Sequence, residues 1–299
     1  MDNKMNLKAK TIAEYLKKDF FGKDVSIMGV CSIDNIKPHC LLFSENATPE
    51  VWSRLSNLQD NIVICDEGMG ESISGPRIIS NHPRLSFVVA ATHYFIVKGN
   101  NEIHPSAIIH EKAKIGNNVH IGAFSYIDEN VSIGNNTIIS ENVIIKGTTK
   151  IGENCFFKSN SVIGEDGFGF VLDEKETPIR TPHFGGIFIG DNVWVGANTT
   201  IERGIFDETI LESHVKIDDL VQIGHNSIIG YGTRITAGTI ICGGVNIKPQ
   251  CWVAPNSNIL ERKVIGRGSY IGIGTNVLSD VPENSVFVGN PGKKLRENE

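Results

Sequence analysis

A six-residue period of aliphatic side chains constrains the fold more than any other feature of this sequence. Every sixth residue is Ile, Val, Leu or Phe in three uninterrupted series, which cover residues 103–163, 189–201 and 211–277. The residue after the aliphatic is often Gly, and the residue four places after it is usually small or β-branched. An α-helix needs a period near 3.6 and an ordinary strand a period of two, so this is the pattern of a repeat protein.

The period predicts a mainly β protein, a triangular solenoid. Each hexapeptide forms one short flat strand and one corner, and three of them make a coil of about 18 residues. The aliphatic side chains point inward and stack on their equivalents in the next coil. At a strand spacing of about 4.8 Å, eight to nine such coils make a prism roughly 40 Å long. The composition agrees, because 41 of the 299 residues are Ile and only 7% are aromatic.

The period is absent from both ends of the chain, which gives three predicted regions. Residues 1–100 are expected to form a small α/β domain, residues 101–278 the β-helix, and residues 279–299 a C-terminal tail. Within the first region the pattern predicts helices at 7–20 and 84–95 and short strands at 25–30, 41–43 and 62–65.

Two interruptions of the period are candidate functional loops. Residues 165–186 are rich in Gly, Pro and charge, which predicts a loop that leaves the prism. Four extra residues form a bulge around 203–207. Loops on a rigid scaffold often carry function, and both interruptions flank the candidate catalytic cluster described below, so we favour a functional role over neutral insertion.

Composition excludes several classes of protein. The net charge of −6 argues against binding nucleic acid through a basic surface. No stretch reaches the 18 or so apolar residues of a membrane span, and the start MDNKMNLKAK lacks an export signal, so we expect a cytoplasmic protein with reduced cysteines. We expect no metal site, because His104 and His110 repeat at six and therefore lie on diverging faces.

His225 is the candidate catalytic base. It lies in KIDDLVQIGHNSIIG (216–230), on the coil after the bulge. Asp218 precedes it on the same coil, where a carboxylate across a corner could orient the imidazole. Gly243 follows by eighteen residues, so it stacks on His225 and could present its backbone N–H to an oxyanion. The alternative is a solvated histidine in a corner loop.

Three segments, VIGEDGFGF (162–170), IGDNVWVGANTTIERG (189–204) and KIDDLVQIGHNSIIG, resemble the UDP-3-O-acylglucosamine N-acyltransferase family of lipid A and lipopolysaccharide biosynthesis. The segments at 30–46 and 81–95 are similar as well, so the resemblance covers nearly the whole chain. It implies a left-handed parallel β-helix after a nucleotide-binding domain, and a homotrimer with active sites between subunits. It also implies transfer of an acyl group from acyl carrier protein to the 2-amine of a UDP-sugar, with no cofactor.

The resemblance also assigns roles to individual residues. His225 matches the catalytic base, Asp218 its carboxylate partner and Gly243 the oxyanion-hole amide, while Phe43 and Asn46 match residues that hold the uracil. The sequence departs from the family at two further positions. Pro49 stands where the family has an aromatic partner for the uracil, and Arg262 where it has a second histidine.

The end of the chain leaves the acyl donor open. The family's C-terminal helices are absent, and VPENSVFVGNPGKKLR (281–296) resembles the ending of acetyl-CoA-dependent sugar acetyltransferases. We therefore favour an acyl-CoA donor bound by Arg262, Lys293 and Lys294, and an aminosugar of a surface glycan. The first alternative is the lipid A enzyme with a 3-hydroxyacyl carrier protein. The second is a non-catalytic trimeric solenoid that binds a sugar nucleotide.

Overall fold

The computed structural model describes residues 7–45, 48–96 and 102–298. Contacts within the chain divide it into two compact units, Met1–Lys98 and Gly99–Glu299. The predicted fold class is confirmed, since a parallel β-helix of hexapeptide repeats follows a small α/β unit. No helix within the described ranges is long and apolar enough to cross a membrane.

The first unit is a five-stranded sheet with helices. In spatial order its strands are Phe20–Phe21, Arg77–Ile79, Ile62–Cys65, Cys40–Phe43 and Gly29–Val30, and a separate pair joins Leu7–Lys8 to Ser26–Ile27. The helices among the described residues are α1 (Ala9–Leu16), α2 (Pro49–Leu55), α3 (Glu67–Gly70) and α4 (Pro83–Phe95). Helix α1 forms because it buries one apolar face, and α2 because the Thr48 side chain accepts a hydrogen bond from the Val51 N–H while Pro49 begins the first turn.

The sequence located the main elements of this unit and missed the short ones. The predicted helices at 7–20 and 84–95 are confirmed as α1, which is shorter at both ends, and α4, which begins one residue earlier. The predicted strand at 25–30 is two strands, because Ser26–Ile27 pairs with Leu7–Lys8 while Gly29–Val30 pairs with Cys40–Phe43. Helices α2 and α3 were not predicted.

The second unit is a three-sided prism with one sheet on each side. The strands of all three sheets are parallel, except that the final strand of the first sheet is antiparallel to its neighbour. The first sheet consists of His120–Ile121, Ile138–Ile139, Phe156–Phe157, Trp194–Val195, Lys216–Ile217, Arg234–Ile235, Trp252–Val253, Tyr270–Ile271, Ser285–Val288 and Lys293–Glu297. The second consists of Ile108–Ile109, Tyr126–Ile127, Ile144–Ile145, Val162–Asp166, Thr200–Arg203, Gln222–Ile223, Ile240–Ile241, Asn258–Ile259 and Asn276–Val277. The third consists of Lys114–Ile115, Val131–Ile133, Thr149–Ile151, Ile187–Ile189, Thr209–Leu211, Ile228–Ile229, Asn246–Ile247 and Val264–Ile265.

The aliphatic ladder is the core of this prism. Every ladder position from Ile121 to Val277 is buried, and Ile109 and Ile115 pack against the same core. Equivalent residues pair between neighbouring coils, as Ile223 does with Ile241 and Ile241 with Ile259. Burial of apolar surface contributes roughly 25 cal/mol per Å², so each layer stabilises the two coils that it joins.

The corners explain the Asn and Gly of the repeat. Most non-glycine residues with positive φ in the prism are Asn, which tolerates the left-handed region: Asn118, Asn136, Asn142, Asn154, Asn160, Asn192, Asn198, Asn226, Asn256 and Asn284. The Gly after the aliphatic allows close approach of two coils. A Cβ on Gly196 would lie 2.2 Å from the backbone carbonyl oxygen of Asp218.

Both interruptions leave the aliphatic ladder in register, although a β-bulge between Ile163 and Glu165 marks the start of the long loop. Ile151 pairs with Ile189 across the long loop, and Ile189 pairs with Leu211 across the bulge. The long loop carries an antiparallel hairpin of Phe170–Leu172 and Pro178–Arg180. Neither insertion is therefore needed to continue the coil.

Candidate active site

His225 lies at the corner between the second and third sheets. It is partly buried and lines a hollow of about 500 Å³. The lining combines the outer face of the second sheet, the corner residues of two later coils and one residue of the long loop: Phe168, Glu202, Gln222, Gly224, His225, Ile240, Cys242, Gly243, Glu261 and Arg262.

The neighbouring Asn226 fixes the tautomer of His225. The Asn226 Oδ1 accepts a hydrogen bond from the Ile205 N–H at 2.9 Å, and the amide nitrogen donates to the Asp207 carbonyl at 3.4 Å. Because Oδ1 is thereby an acceptor, the His225 Nδ1, at 3.1 Å from it, must carry the proton. In the neutral imidazole Nε2 then keeps its lone pair, as a general base requires.

Gly243 lies directly beside that lone pair. A Cβ built on Gly243 would lie 2.6 Å from the His225 Nε2, so only glycine leaves the base open at this point. The structure therefore brings Gly243 and His225 together, as the eighteen-residue spacing predicted.

Glu202 and Cys242 complete the wall of the hollow, and the sequence analysis missed both. The Glu202 carboxylate accepts a hydrogen bond from the backbone N–H of His225 at 3.1 Å and one from the Gln222 side-chain amide at 3.2 Å. Burial, then the charges of Glu261 and Glu202, raise the pKa of the Cys242 thiol, so it stays protonated and is a poor nucleophile at neutral pH. Counting coils through the bulge, in which Ile201 pairs with Ile223, would have placed Glu202 beside His225.

Asp218 does not join His225 within one chain, which corrects the expectation that it orients the imidazole of its own coil. It is exposed and lines a separate hollow of about 400 Å³ on the first sheet, beside Trp194 and Arg234. The reason is geometric, since Asp218 lies at the corner between the first and second sheets, one corner before His225. The group bonded to the His225 Nδ1 is the Asn226 amide instead.

The three predicted donor-binding residues separate. Arg262 lines the hollow of His225. Lys293 and Lys294 lie on the terminal strand, which pairs antiparallel with Ser285–Val288 at the end of the first sheet, and Lys294 forms an ion pair with Glu297. The tail is therefore part of a sheet, and only Arg262 lies in the hollow of the candidate base.

The predicted uracil site falls in the first unit. Phe43 is half-buried and packs against that unit's core, with its ring centroid 4.9 Å from that of Phe87 and the Arg84 guanidinium 5.7 Å from the ring. Asn46 lies outside the described residues. Within the described ranges, no group of three or more His, Cys, Asp or Glu side chains is arranged to hold a metal ion.

Comparisons with known proteins first define the class. The family model described as bacterial transferase hexapeptide (six repeats) matches residues 130–165, and the hexapeptide repeat of succinyl-transferase matches residues 112–146 and 186–205. The solved UDP-N-acetylglucosamine acyltransferase of Francisella novicida is 28% identical with a TM-score of 0.61, over 66% of this chain and 71% of that chain. The chain therefore carries hexapeptide repeats similar to those of these transferases.

Among proteins with such repeats, the resemblance to the UDP-3-O-acylglucosamine N-acyltransferases is confirmed. The protein of that name from Delftia acidovorans is 43% identical over 187 residues, 62% of this chain and 56% of the relative. The one from Methylorubrum extorquens is 38% identical over 131 residues, 44% of this chain and 37% of the relative. The chain thus spans about half or less of the length of these curated relatives.

Proposed function

We propose that the protein is an N-acyltransferase that moves an acyl group from a thioester to the amine of a nucleotide-linked aminosugar. The observation that carries this proposal is the state of His225, whose Nδ1 proton is held by Asn226 while its Nε2 lone pair opens beside Gly243 into the hollow. The N-acyltransferase names of the curated relatives support the same reaction.

The proposed mechanism uses one histidine twice. The sugar amine attacks the thioester carbonyl carbon, and the His225 Nε2 takes a proton from the amine nitrogen as the C–N bond forms. The Gly243 N–H donates to the oxyanion of the tetrahedral intermediate. The C–S bond then breaks, the thiolate takes the proton back from Nε2, and the amide product leaves. No acyl-cysteine is needed, in keeping with the protonated thiol of Cys242.

The names of the relatives favour the lipid A alternative for the substrates. UDP-3-O-acylglucosamine is then the acceptor, and a 3-hydroxyacyl carrier protein the donor that the family resemblance implies. The preference for acyl-CoA and a surface-glycan aminosugar, which the C-terminal residues suggested, is not supported by these relatives. We further propose that the first unit binds the nucleotide through Phe43.

A homotrimer would bring Asp218 to the base. The hollow on the first sheet presents three cations, Lys158, Lys216 and Arg234, beside the Asp218 carboxylate. The hollow of His225 presents two carboxylates, Glu202 and Glu261, beside Arg262. Complementary faces on one chain favour a head-to-tail ring, and the family resemblance implies that it has three subunits. In such a ring, Asp218 of one subunit faces His225 of the next, where its carboxylate can stabilise the imidazolium.

The test is a mass-spectrometric assay of the purified chain with UDP-3-O-acylglucosamine and with other nucleotide-linked aminosugars. Each acceptor is paired with 3-hydroxyacyl carrier protein and with acyl-CoA thioesters. We expect N-acylation of UDP-3-O-acylglucosamine by the carrier protein. His225→Ala is expected to lower kcat by about 10²–10⁴-fold with little change in KM for the acceptor.

Two results would contradict the proposal. A folded His225→Ala variant with normal turnover would remove His225 as the base. Binding of the sugar nucleotide with no turnover for any donor would favour the non-catalytic solenoid instead.

A further inference from the structure

The long loop is fastened to the prism next to His225. Asp166, whose side chain is only 10% exposed, forms ion pairs with Arg203 on the second sheet and with Arg180 on the returning strand of the hairpin. The Phe184 N–H donates to the Ile205 carbonyl at 2.7 Å, which joins the loop to the bulge. Ion pairs and backbone bonds at both limbs hold the loop in one place against the corner.

The loop thereby seats a second histidine against the candidate base. His183 is 4% exposed, and its ring centroid lies 5.4 Å from that of His225, with the ring planes at 77°. This edge-to-face arrangement is one that favours packing of aromatic rings. The loop also brings Gly167 to the other atoms of the base, since a Cβ on Gly167 would lie 2.9 Å from the His225 Cδ2.

The hydrogen bonds of His183 make it an unusual packing residue. Its Nδ1 lies 3.0 Å from the Thr181 carbonyl oxygen, which can only accept, so Nδ1 carries the proton. Its Nε2 is buried and has no hydrogen-bond partner among the residues that the structure describes. A phenylalanine would fill the same space without burying an unpaired nitrogen, and a group of this kind calls for an explanation other than stability.

We propose that His183 is a positioning residue for His225, an inference that rests on the proposed function. The imidazole of His225 is held by the Asn226 amide at Nδ1 and by the ring of His183, and Gly167 lies close to it on the side of Cδ2. These contacts leave the ring one orientation, with Nε2 at Gly243. The hydrogen bond from the His183 Nδ1 to the Thr181 carbonyl, which we call the tether, fixes the orientation of the His183 ring. A general base must be held within about 0.5 Å of its working place, so loss of the contact lowers the rate.

The experiment compares His183→Ala, which removes the ring, with His183→Phe, which keeps a ring of similar size but loses the tether. We expect kcat to fall about 10–100-fold in His183→Ala and less in His183→Phe, with both KM values within about twofold of the parent. His214→Ala is the matched control, because His214 also contacts an aromatic ring, Tyr231, but lies at an exposed corner outside the hollow.

A second measurement does not depend on turnover. Carbethoxylation of His225 by diethylpyrocarbonate, located by peptide mass mapping, should become several-fold faster in His183→Ala, because the released ring can turn. If the parent acylates no acceptor, the proposed function fails and the mapping alone decides the role of His183.

The inference is overturned if loss of the contact between His183 and His225 changes neither the rate of acyl transfer nor the reactivity of His225. Unchanged kcat together with unchanged carbethoxylation in a folded His183→Ala variant would show this. A rise in KM with kcat preserved would also overturn it, because that result marks a substrate contact. Should His183→Ala fail to fold, His183→Leu, which also removes the ring, decides in its place, and parental values for both measurements reject the proposal.

Discussion

At the scale of single residues, the candidate site depends on Gly243 having no side chain. Its φ is not in the left-handed region, so alanine is compatible with the backbone there. The added methyl group would nevertheless lie 2.6 Å from Nε2 and 2.8 Å from Cε1 of His225. The imidazole has little room to retreat, because Asn226 and His183 bound it on other sides.

Gly243→Ala is therefore expected to strain this corner, which lowers the melting temperature, and to lower kcat at least about tenfold. The rate falls because the Nε2 lone pair is displaced from its working place. Steady-state kinetics and a thermal melt of the same preparation make the comparison. Parental turnover would show that the base needs no open space at Gly243.

At the scale of one element, a corner of the prism illustrates how the coils are joined. The Asp128 carboxylate accepts from the Glu129 N–H at 2.9 Å and, one coil on, from the Gly147 N–H at 3.2 Å. These backbone bonds, the one from Glu129 first, lower the pKa of Asp128. A carboxylate whose pKa is lower in the folded than in the unfolded state stabilises the folded state at pH values above its unfolded pKa, which is about 3.9 for Asp. This stabilisation is lost as the pH falls from there through the folded pKa.

Asp128→Asn is expected to melt at a lower temperature than the parent at pH 7. The difference in melting temperature between the two proteins should narrow as the pH falls below about 4, because Asp128 of the parent is then protonated and loses its negative charge. Calorimetric melts at pH 7, 5 and 3 give the comparison. A gap that stays constant across this range would mean that shape at the corner, and not charge, sets the contribution.

At the scale of the whole molecule, the separation of Asp218 from His225 makes a prediction about assembly. If each active site takes His225 from one subunit and Asp218 from its neighbour, two defective variants can repair each other. We expect the parent to sediment at about three times the 32.7 kDa of the chain.

Co-assembly of Asp218→Ala with His225→Ala, each nearly inactive alone, is expected to restore about a quarter of the parental activity, since random mixing pairs an intact histidine with an intact aspartate at that frequency. Each variant co-assembled with itself is the control. A 32.7 kDa monomer at micromolar concentration, or a mixture no more active than its components, would contradict a shared site.

The sequence by itself determined the prism and the place of the base within it. The six-residue period is a local property repeated at every turn, so the pattern alone gives the coil, the buried ladder from Ile121 to Val277 and the stacking of Gly243 on His225. Only the tertiary structure decided which side chains surround that base. Asn226 replaces Asp218 at Nδ1 because neighbouring corners diverge, and Glu202 arrives through a bulge that shifts the count. His183 is placed beside the base by the long loop. Ion pairs of Asp166 with Arg180 and Arg203, which are far from it in the sequence, hold that loop, and no spacing in the sequence encodes them.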